Sequence, residues 1–110
     1  MDMQYYHKKK YDILEIRGNI LNPDCKQLEK DIFAHWLASE NKIIILHFFD
    51  AQFICRQAIG LLFKISLEFE KSQKMMRIVV ASSSLINIFE MVGLADHVPV
   101  YRNFSDIPFE

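Results

Sequence analysis

The sequence lacks a marked excess of charge of either sign. Its 110 residues include 13 lysines and arginines against 14 aspartates and glutamates, which gives a formal net charge of −1. The basic run Lys8, Lys9 and Lys10 is short, and we interpret it as a solvated strand end or turn. Nonspecific nucleic-acid binding needs a strongly basic face that neutralises phosphates. The sequence therefore argues against nucleic acid as a partner.

Long apolar runs are also missing. The longest, residues 43–49, is interrupted by His47 and is far shorter than the roughly 20 residues of a membrane-spanning helix. Residues 1–10 are polar and show no apolar core of a signal peptide. We therefore expect a cytoplasmic chain that does not insert directly into a membrane.

Cysteine motifs and Gly-rich loops are absent as well. Cys25 and Cys55 have neither CxxC spacing nor histidines at metal-ligand spacing. Free thiols in a reducing compartment are the simplest interpretation. The sequence accordingly predicts no metal site and no cofactor.

What is present is a composition typical of one folded domain. Hydrophobic residues make up 51% of the chain and charged residues 25%, and this length suffices for one core but not two. We therefore assign residues 1–110 to a single domain. The segment 42–49, KIIILHFF, shows no alternation and is typical of a central strand covered on both faces. Strands are predicted at residues 3–6, 11–17, 42–49, 75–81 and 98–101.

The first predicted helix begins at Asn22 as its N-cap residue. Pro23 fits the first helical position, and Asp24 places an acid against the positive end of the helix dipole. Apolar residues then recur at helical spacing, and Asn41 is the predicted end of the helix.

Two further helices complete the predicted order of elements. One covers residues 56–71, and a shorter one covers residues 85–92, with cap candidates in the serine run before it and Gly93 after it. Residues 105–106 are candidates to cap a very short last helix. Strands that alternate with helices imply parallel neighbours joined by right-handed crossovers. We therefore predict an α/β fold with a four- or five-stranded mixed sheet and helices mainly on one face.

The order of these segments resembles the STAS domain family, the fold of bacterial anti-sigma-factor antagonists. STAS domains carry a buried strand of the form VVLDLS, a loop VTFIDSSGLGALL that leads into a helix, a strand LxLV, and a short helix ending in GL. The chain has, in the same order, KIIILHFF, AQFICRQAIGLL, MMRIVVASSS, LINIFEMVGLADHVPVY and FSDI. The resemblance implies a STAS-like fold and a non-catalytic protein-interaction module of bacterial signalling and transcription regulation. Its implied partner is an anti-sigma factor, a kinase or another signalling protein.

The chain departs from the family at the phosphorylation motif. In the antagonists, the DSSG segment places a serine at the start of the second helix, where a partner kinase phosphorylates it. In this chain, aligned on Phe53 and Gly60, the motif falls on Cys55, Arg56, Gln57 and Ala58. No hydroxyl group remains at the switch position. The resemblance therefore implies partner binding without the usual serine switch.

Two candidate sites follow from these observations. The family's contact surface maps onto the loop and the first turn of the following helix, which predicts a partner site formed by Asp50, Gln52, Phe53, Cys55, Arg56 and Gln57. A second candidate is a ligand site at the end of a parallel strand, where open α/β sheets bind ligands and helix amides can take a phosphate. Its residues are Ser82, Ser83 and Ser84, for which helix capping is the preferred interpretation.

Two alternative functions remain open. One is a STAS subunit of a transporter or signalling complex that senses a nucleotide. The other is a small α/β enzyme in which the helix N-terminus activates Cys55 as a nucleophile, although no general base is recognisable and we predict no catalytic residue. The sequence also leaves a homodimer open.

Overall fold

The computed structural model describes residues 1–108, so the last two residues of the predicted domain lie outside the described part. Its strands are β1 Asp2–His7, β2 Asp12–Arg17, β3 Ile43–Phe48, β4 Met75–Val80 and β5 Val100–Tyr101. They form one five-stranded sheet in chain order, so that β3 is central. β1 is antiparallel to β2, and the other neighbours are parallel. The predicted mixed sheet, with residues 43–48 at its centre, is confirmed.

Three helices connect the parallel strands: α1 Cys25–Ala38, α2 Arg56–Lys71 and α3 Ser83–Met91. Their buried side chains form one apolar cluster with alternate residues of β2, β3 and β4. Because alternate residues of a strand point to the same side, all three helices pack on one face of the sheet. Each large apolar side chain that becomes fully buried contributes about 1.5–3 kcal/mol, so this cluster is the main stabilising element. None of the helices within residues 1–108 has the length and apolarity needed to cross a membrane.

The opposite face of the sheet carries a smaller cluster. Ile45 and Val79 are buried there beneath Ile107, with Tyr101 and Phe104 packed around them. The end of the described chain thus covers the face that has no helix. This cover explains why the segment around β3 shows no alternation of polar and apolar residues.

The start of α1 differs from the prediction. Asn22 is not its N-cap residue, because Asn22–Asp24 forms a short 3-10 turn and α1 begins at Cys25. The Asp24 carboxylate accepts a hydrogen bond from the Leu21 amide at 2.8 Å, and the Asp24 amide donates to the Leu21 carbonyl at 2.9 Å. These two bonds stabilise the tighter turn, so the helix begins two residues later than predicted.

The end of α1 also differs from the prediction. The helix ends at Ala38 because Ser39 is extended, with ψ of 141°. The Lys74 ammonium donates to the carbonyls of Trp36 at 3.1 Å and of Ser39 at 3.0 Å. The Asn41 side chain donates to the carbonyl of Lys8 at 2.8 Å. The helix thus ends at Ala38 and not at the predicted Asn41, and Lys74 from outside the helix bonds the carbonyls at its end.

The capping prediction for α3 is confirmed, and the chain after it is less regular than predicted. The Ser82 hydroxyl accepts from the Leu85 amide at 3.3 Å, and Gly93 adopts the left-handed φ of 84° that favours glycine.

Strand β5 begins at Val100 instead of residue 98, because the Val98 amide donates to the Leu94 carbonyl at 2.8 Å. The predicted last helix is a 3-10 turn, Phe104–Asp106.

Candidate protein-interaction surface

Two loops run side by side at the carboxyl ends of β2 and β3. We call residues 18–21 and 49–55 the paired loops. The Phe49 amide donates to the Ile16 carbonyl at 2.9 Å, the Ile20 amide to the Phe53 carbonyl at 3.1 Å, and the Cys55 amide to the Ile20 carbonyl at 2.9 Å. An isolated parallel bridge joins Ile20 to residue 54. The β2–β3 pairing therefore resumes beyond the strand ends, which fixes the backbone of the predicted partner site.

Two polar side chains hold the paired loops together. Asn19 Oδ1 accepts the amides of Gln52 at 2.9 Å and Phe53 at 3.1 Å. Asp50 Oδ1 accepts the Gly18 amide at 2.6 Å, and Gly18 has a φ of 84°. Asp50, a predicted site residue, therefore orders the loop. The role of Asn19 could not be predicted from the sequence, because it depends on partners more than 30 positions away.

The outer side of the paired loops is apolar. Leu21, Phe49 and Phe53 are 51%, 50% and 49% exposed. The Arg17 guanidinium lies 4.3 Å from the centroid of the Phe49 ring, within the range of a cation–π contact. Large apolar side chains held half-exposed on an ordered backbone are typical of a contact surface.

The start of α2 adds a cation and no helix cap. Cys55 has an extended backbone, with φ of −68° and ψ of 157°, and its side chain caps no amide. Arg56 and Gln57 are exposed, and the Arg56 guanidinium makes no hydrogen bond or ion pair with any residue from 1 to 108. The helix dipole disfavours a cation here by a few tenths of a kcal/mol. A partner carboxylate would remove that penalty.

The two thiols lie together beneath this surface. Cys25 and Cys55 are 4% and 7% exposed, and their Sγ atoms are 3.8 Å apart. Burial, together with the hydrogen bond to the Cys55 thiol, raises the pKa of Cys25 to about 11. Sequence spacing did not indicate this proximity.

The serine run follows the end of β4. Ser82 caps α3, and the Ser83 hydroxyl accepts from Arg102 at 3.2 Å. Ser84 is exposed. Phe48 pairs with Val80 at the ends of β3 and β4, so both candidate sites lie at the same edge of the sheet, but within residues 1–108 no hydrogen bond joins these serines to residues 50–57.

His47 of β3 lies on the helix-free face among aromatic side chains. His47 Nδ1 lies 3.9 Å from a Glu15 carboxylate oxygen, and its ring packs edge-on against Phe49 and Phe104. Burial lowers the pKa of His47, against the opposing effect of Glu15. The lowered pKa favours the neutral imidazole, which packs as an aromatic side chain. No group of three or more metal-binding side chains occurs in the described part of the chain.

Comparison with known proteins gives a consistent result. The family model described as "STAS domain" matches residues 3–107. The structure of an anti-sigma factor antagonist from Mycobacterium paratuberculosis superposes with a TM-score of 0.79 at 15% identity, over 96% of this chain and 88% of that one. No curated protein sequence matches the chain.

Two structures of one further protein are also similar. The anti-sigma factor antagonist SpoIIAA in its unphosphorylated form has a TM-score of 0.77 at 15% identity, over 94% of this chain and 91% of that one. The Bacillus cell fate determinant SpoIIAA in the phosphorylated form has a TM-score of 0.71 at 15% identity, over 94% and 95%. At such low identity these superpositions show a common fold and nothing finer.

Proposed function

The chain belongs to the STAS domain family, and on that basis we propose that it is a non-catalytic protein-interaction module of cytoplasmic signalling. Its proposed partner is an anti-sigma factor or a kinase-type signalling protein. The similar structures of anti-sigma factor antagonists support this class of partner. The Cys55 thiol supports a non-catalytic role, because its side-chain hydrogen-bond partner within residues 1–108 is another thiol and no general base.

The proposal rests mainly on the surface formed by the paired loops and the first turn of α2. Phe49, Phe53 and Leu21 are each about half-exposed, and Arg56 has no partner within the described chain. Aromatic residues and arginine are enriched where protein interfaces derive most of their binding energy. The backbone hydrogen bonds of the loops hold these groups in place before binding, so that little conformational entropy is lost on association.

We further propose that binding is not switched by phosphorylation at the family's usual position. One similar protein is described in a phosphorylated form, whereas here Cys55, Arg56 and Gln57 occupy the aligned positions. A phosphate would add a charge of about −1.5 to −2, and Arg56 instead provides a fixed positive charge. Mass spectrometry of the protein from its own cells tests this point. Phosphate on Ser82, Ser83 or Ser84 that abolishes binding would show that a switch exists at another position.

The binding experiment compares three variants with the wild type. A partner is first isolated on the wild-type chain, identified by mass spectrometry, produced separately and titrated at low and high salt. Arg56→Glu should weaken binding more than Arg56→Ala, because it adds repulsion from a partner carboxylate; an exposed pair is worth about 0.2–1 kcal/mol and a desolvated pair more. Phe53→Ala should weaken binding at both salt concentrations, because it removes apolar contact.

The matched control is Lys42→Glu. Lys42 is exposed and precedes β3. Its replacement by glutamate changes the net charge by the same amount as Arg56→Glu, but at the amino end of β3, away from the paired loops. We expect wild-type affinity for this variant and an unchanged or slightly raised melting temperature for Arg56→Glu. Equal affinities of all the variants would exclude this surface as the binding site.

A further inference from the structure

Two cysteines from different parts of the chain meet beneath the paired loops. Cys25 is the first residue of α1, and Cys55 is the residue immediately before α2. They are 30 positions apart in sequence, yet their Sγ atoms lie 3.8 Å apart. The chain contains no other cysteine. Contact between the only two thiols of a chain is the geometry from which an intramolecular disulfide forms.

We propose that Cys25 and Cys55 form a reversible intramolecular disulfide when the protein meets a peroxide oxidant. A disulfide bond is about 2.0 Å long, so the sulfur atoms must approach each other by about 1.8 Å. Side-chain rotation with a small shift of the first turns of the two helices supplies such a displacement. Disulfides of cytosolic proteins are mostly transient and redox-sensing, which fits a pair that is reduced at rest.

A cavity gives a small oxidant access to this pair. The space between α1 and α2 has a volume of about 290 Å³ and is lined by Cys25, Gln57, Gly60, Lys26 and Lys64, among others. Gly60 contributes no side chain, and a Cβ atom built on it would meet nothing within 4 Å. Hydrogen peroxide fits easily in such a space, so Cys25 is the sulfur that we expect to react first.

The oxidation of the two thiols consumes one molecule of hydrogen peroxide for each disulfide that forms. The Cys25 thiolate attacks one peroxide oxygen; an S–O bond forms, the O–O bond breaks, and the departing hydroxide takes up the thiol proton as water. Cys55 then attacks the sulfenic sulfur; the S–S bond forms, the S–O bond breaks, and a second water leaves. The two sulfurs lose two electrons and the peroxide gains them. Because the pKa of Cys25 is raised to about 11, its thiolate is scarce at neutral pH, and the reaction should be faster in mildly alkaline buffer.

The disulfide would join the start of α1 to the end of the 49–55 loop. Its Cys55 lies between Phe53 and Arg56 in the sequence. It would therefore act on the surface assigned to the partner. The proposal itself rests only on the two thiols and the cavity, so it holds or fails independently of whether a partner binds there.

The test uses the purified full chain treated with stoichiometric hydrogen peroxide. We expect a monomer whose mass is lower by two hydrogen atoms, with no titratable thiol after unfolding and both thiols regained after treatment with dithiothreitol. The oxidised form should also melt several degrees higher. Cys25→Ala and Cys55→Ala are the matched controls, and neither can show the loss of two hydrogens.

Three results would overturn the proposal: two thiols that remain titratable after oxidation, added oxygen without an S–S bond, or cross-linked dimers in place of the monomer. If an alanine variant does not fold, peptide mapping of the oxidised wild type decides, since a peptide pair containing Cys25 and Cys55 must separate on reduction. Partner affinity of the oxidised chain is measured afterwards, so a failure of partner binding cannot be mistaken for a failure of the disulfide.

Discussion

Asn19 accepts two backbone amides with one side-chain oxygen, from Gln52 and from Phe53. Asn19→Ala leaves both amides without this acceptor, and we expect a loss of about 1–2 kcal/mol in the free energy of unfolding. Asn19→Asp keeps the acceptor and should remain close to the wild type. Urea unfolding of the three proteins measures the difference. An alanine variant as stable as the aspartate variant would contradict a structural role for this oxygen.

Asp12 is a buried carboxylate at the start of β2. Burial alone would raise its pKa, but hydrogen bonds from Ser39, Asn41, Tyr5 and His7 outweigh burial and lower it. A lowered folded-state pKa adds stability above the unfolded pKa of about 3.9 and loses it as pH falls through the folded value. The ionised form is thus the one that the fold stabilises at neutral pH.

We therefore expect Asp12→Asn to lower the free energy of unfolding by an amount that depends on pH. At pH 7 the variant should unfold about 1–3 kcal/mol more easily than the wild type, because a charged acceptor of several donors is lost. Below about pH 4 the difference should shrink, since the carboxylate becomes protonated in the unfolded wild type first and the stability that ionisation contributes is then lost. Denaturant titrations at several pH values measure both stabilities. A difference that stays constant down to pH 3 would rule out the ionised carboxylate as its cause.

At the scale of elements, the carboxyl end of α1 is fixed by a side chain from a distant part of the chain. Lys74 donates to the carbonyls of Trp36 and Ser39, and its ammonium lies 5.2 Å from the Trp36 ring centroid. Lys74→Met keeps the aliphatic stem but removes these charged hydrogen bonds, which should cost about 1.5–3 kcal/mol. Lys71→Met is the control, because Lys71 is exposed and pairs only loosely with Glu68, at 3.6 Å. In thermal unfolding, Lys74→Met should therefore have a clearly lower melting temperature than Lys71→Met.

The same contacts explain which parts of the elements the sequence could predict. β-branched runs predicted the strands well, and the hydroxyl of Ser82 and the backbone freedom of Gly93 predicted both ends of α3, because those signals act within a few residues. The carboxyl end of α1 depends on Lys74, which reaches the carbonyls of Trp36 and Ser39 from a distant part of the chain. Local propensity contains no information about such partners.

At the scale of the whole molecule, the stability of the sheet depends on cover for its helix-free face. Ile107 is buried against Ile45 and Val79. Ile107→Ala should lower the free energy of unfolding by about 2–4 kcal/mol, since it opens a cavity over two buried side chains. Met91→Ala, at a side chain that is 84% exposed, should change it by less than about 0.5 kcal/mol. Equal effects of the two substitutions would mean that the terminal segment is not packed as described.

The candidate site was predictable only in outline. The family resemblance located the 50–57 loop, since its motifs survive in order and spacing. The pairing with residues 18–21, the acceptor role of Asn19 and the contact between Cys25 and Cys55 depend on three-dimensional register between distant segments. These features therefore became visible only in the folded structure.

The cap on α1 has a consequence for the protein as it is being made. Lys74 follows Ser39 by 35 residues and Trp36 by 38, so α1 leaves the ribosome well before the side chain that satisfies its last carbonyls. At a synthesis rate of about 5–20 residues per second, the delay is roughly 2–8 seconds. Over that interval the carbonyls of Trp36 and Ser39 lack the Lys74 ammonium. The nascent chain therefore acquires its finished first helix only when the fourth strand begins to emerge.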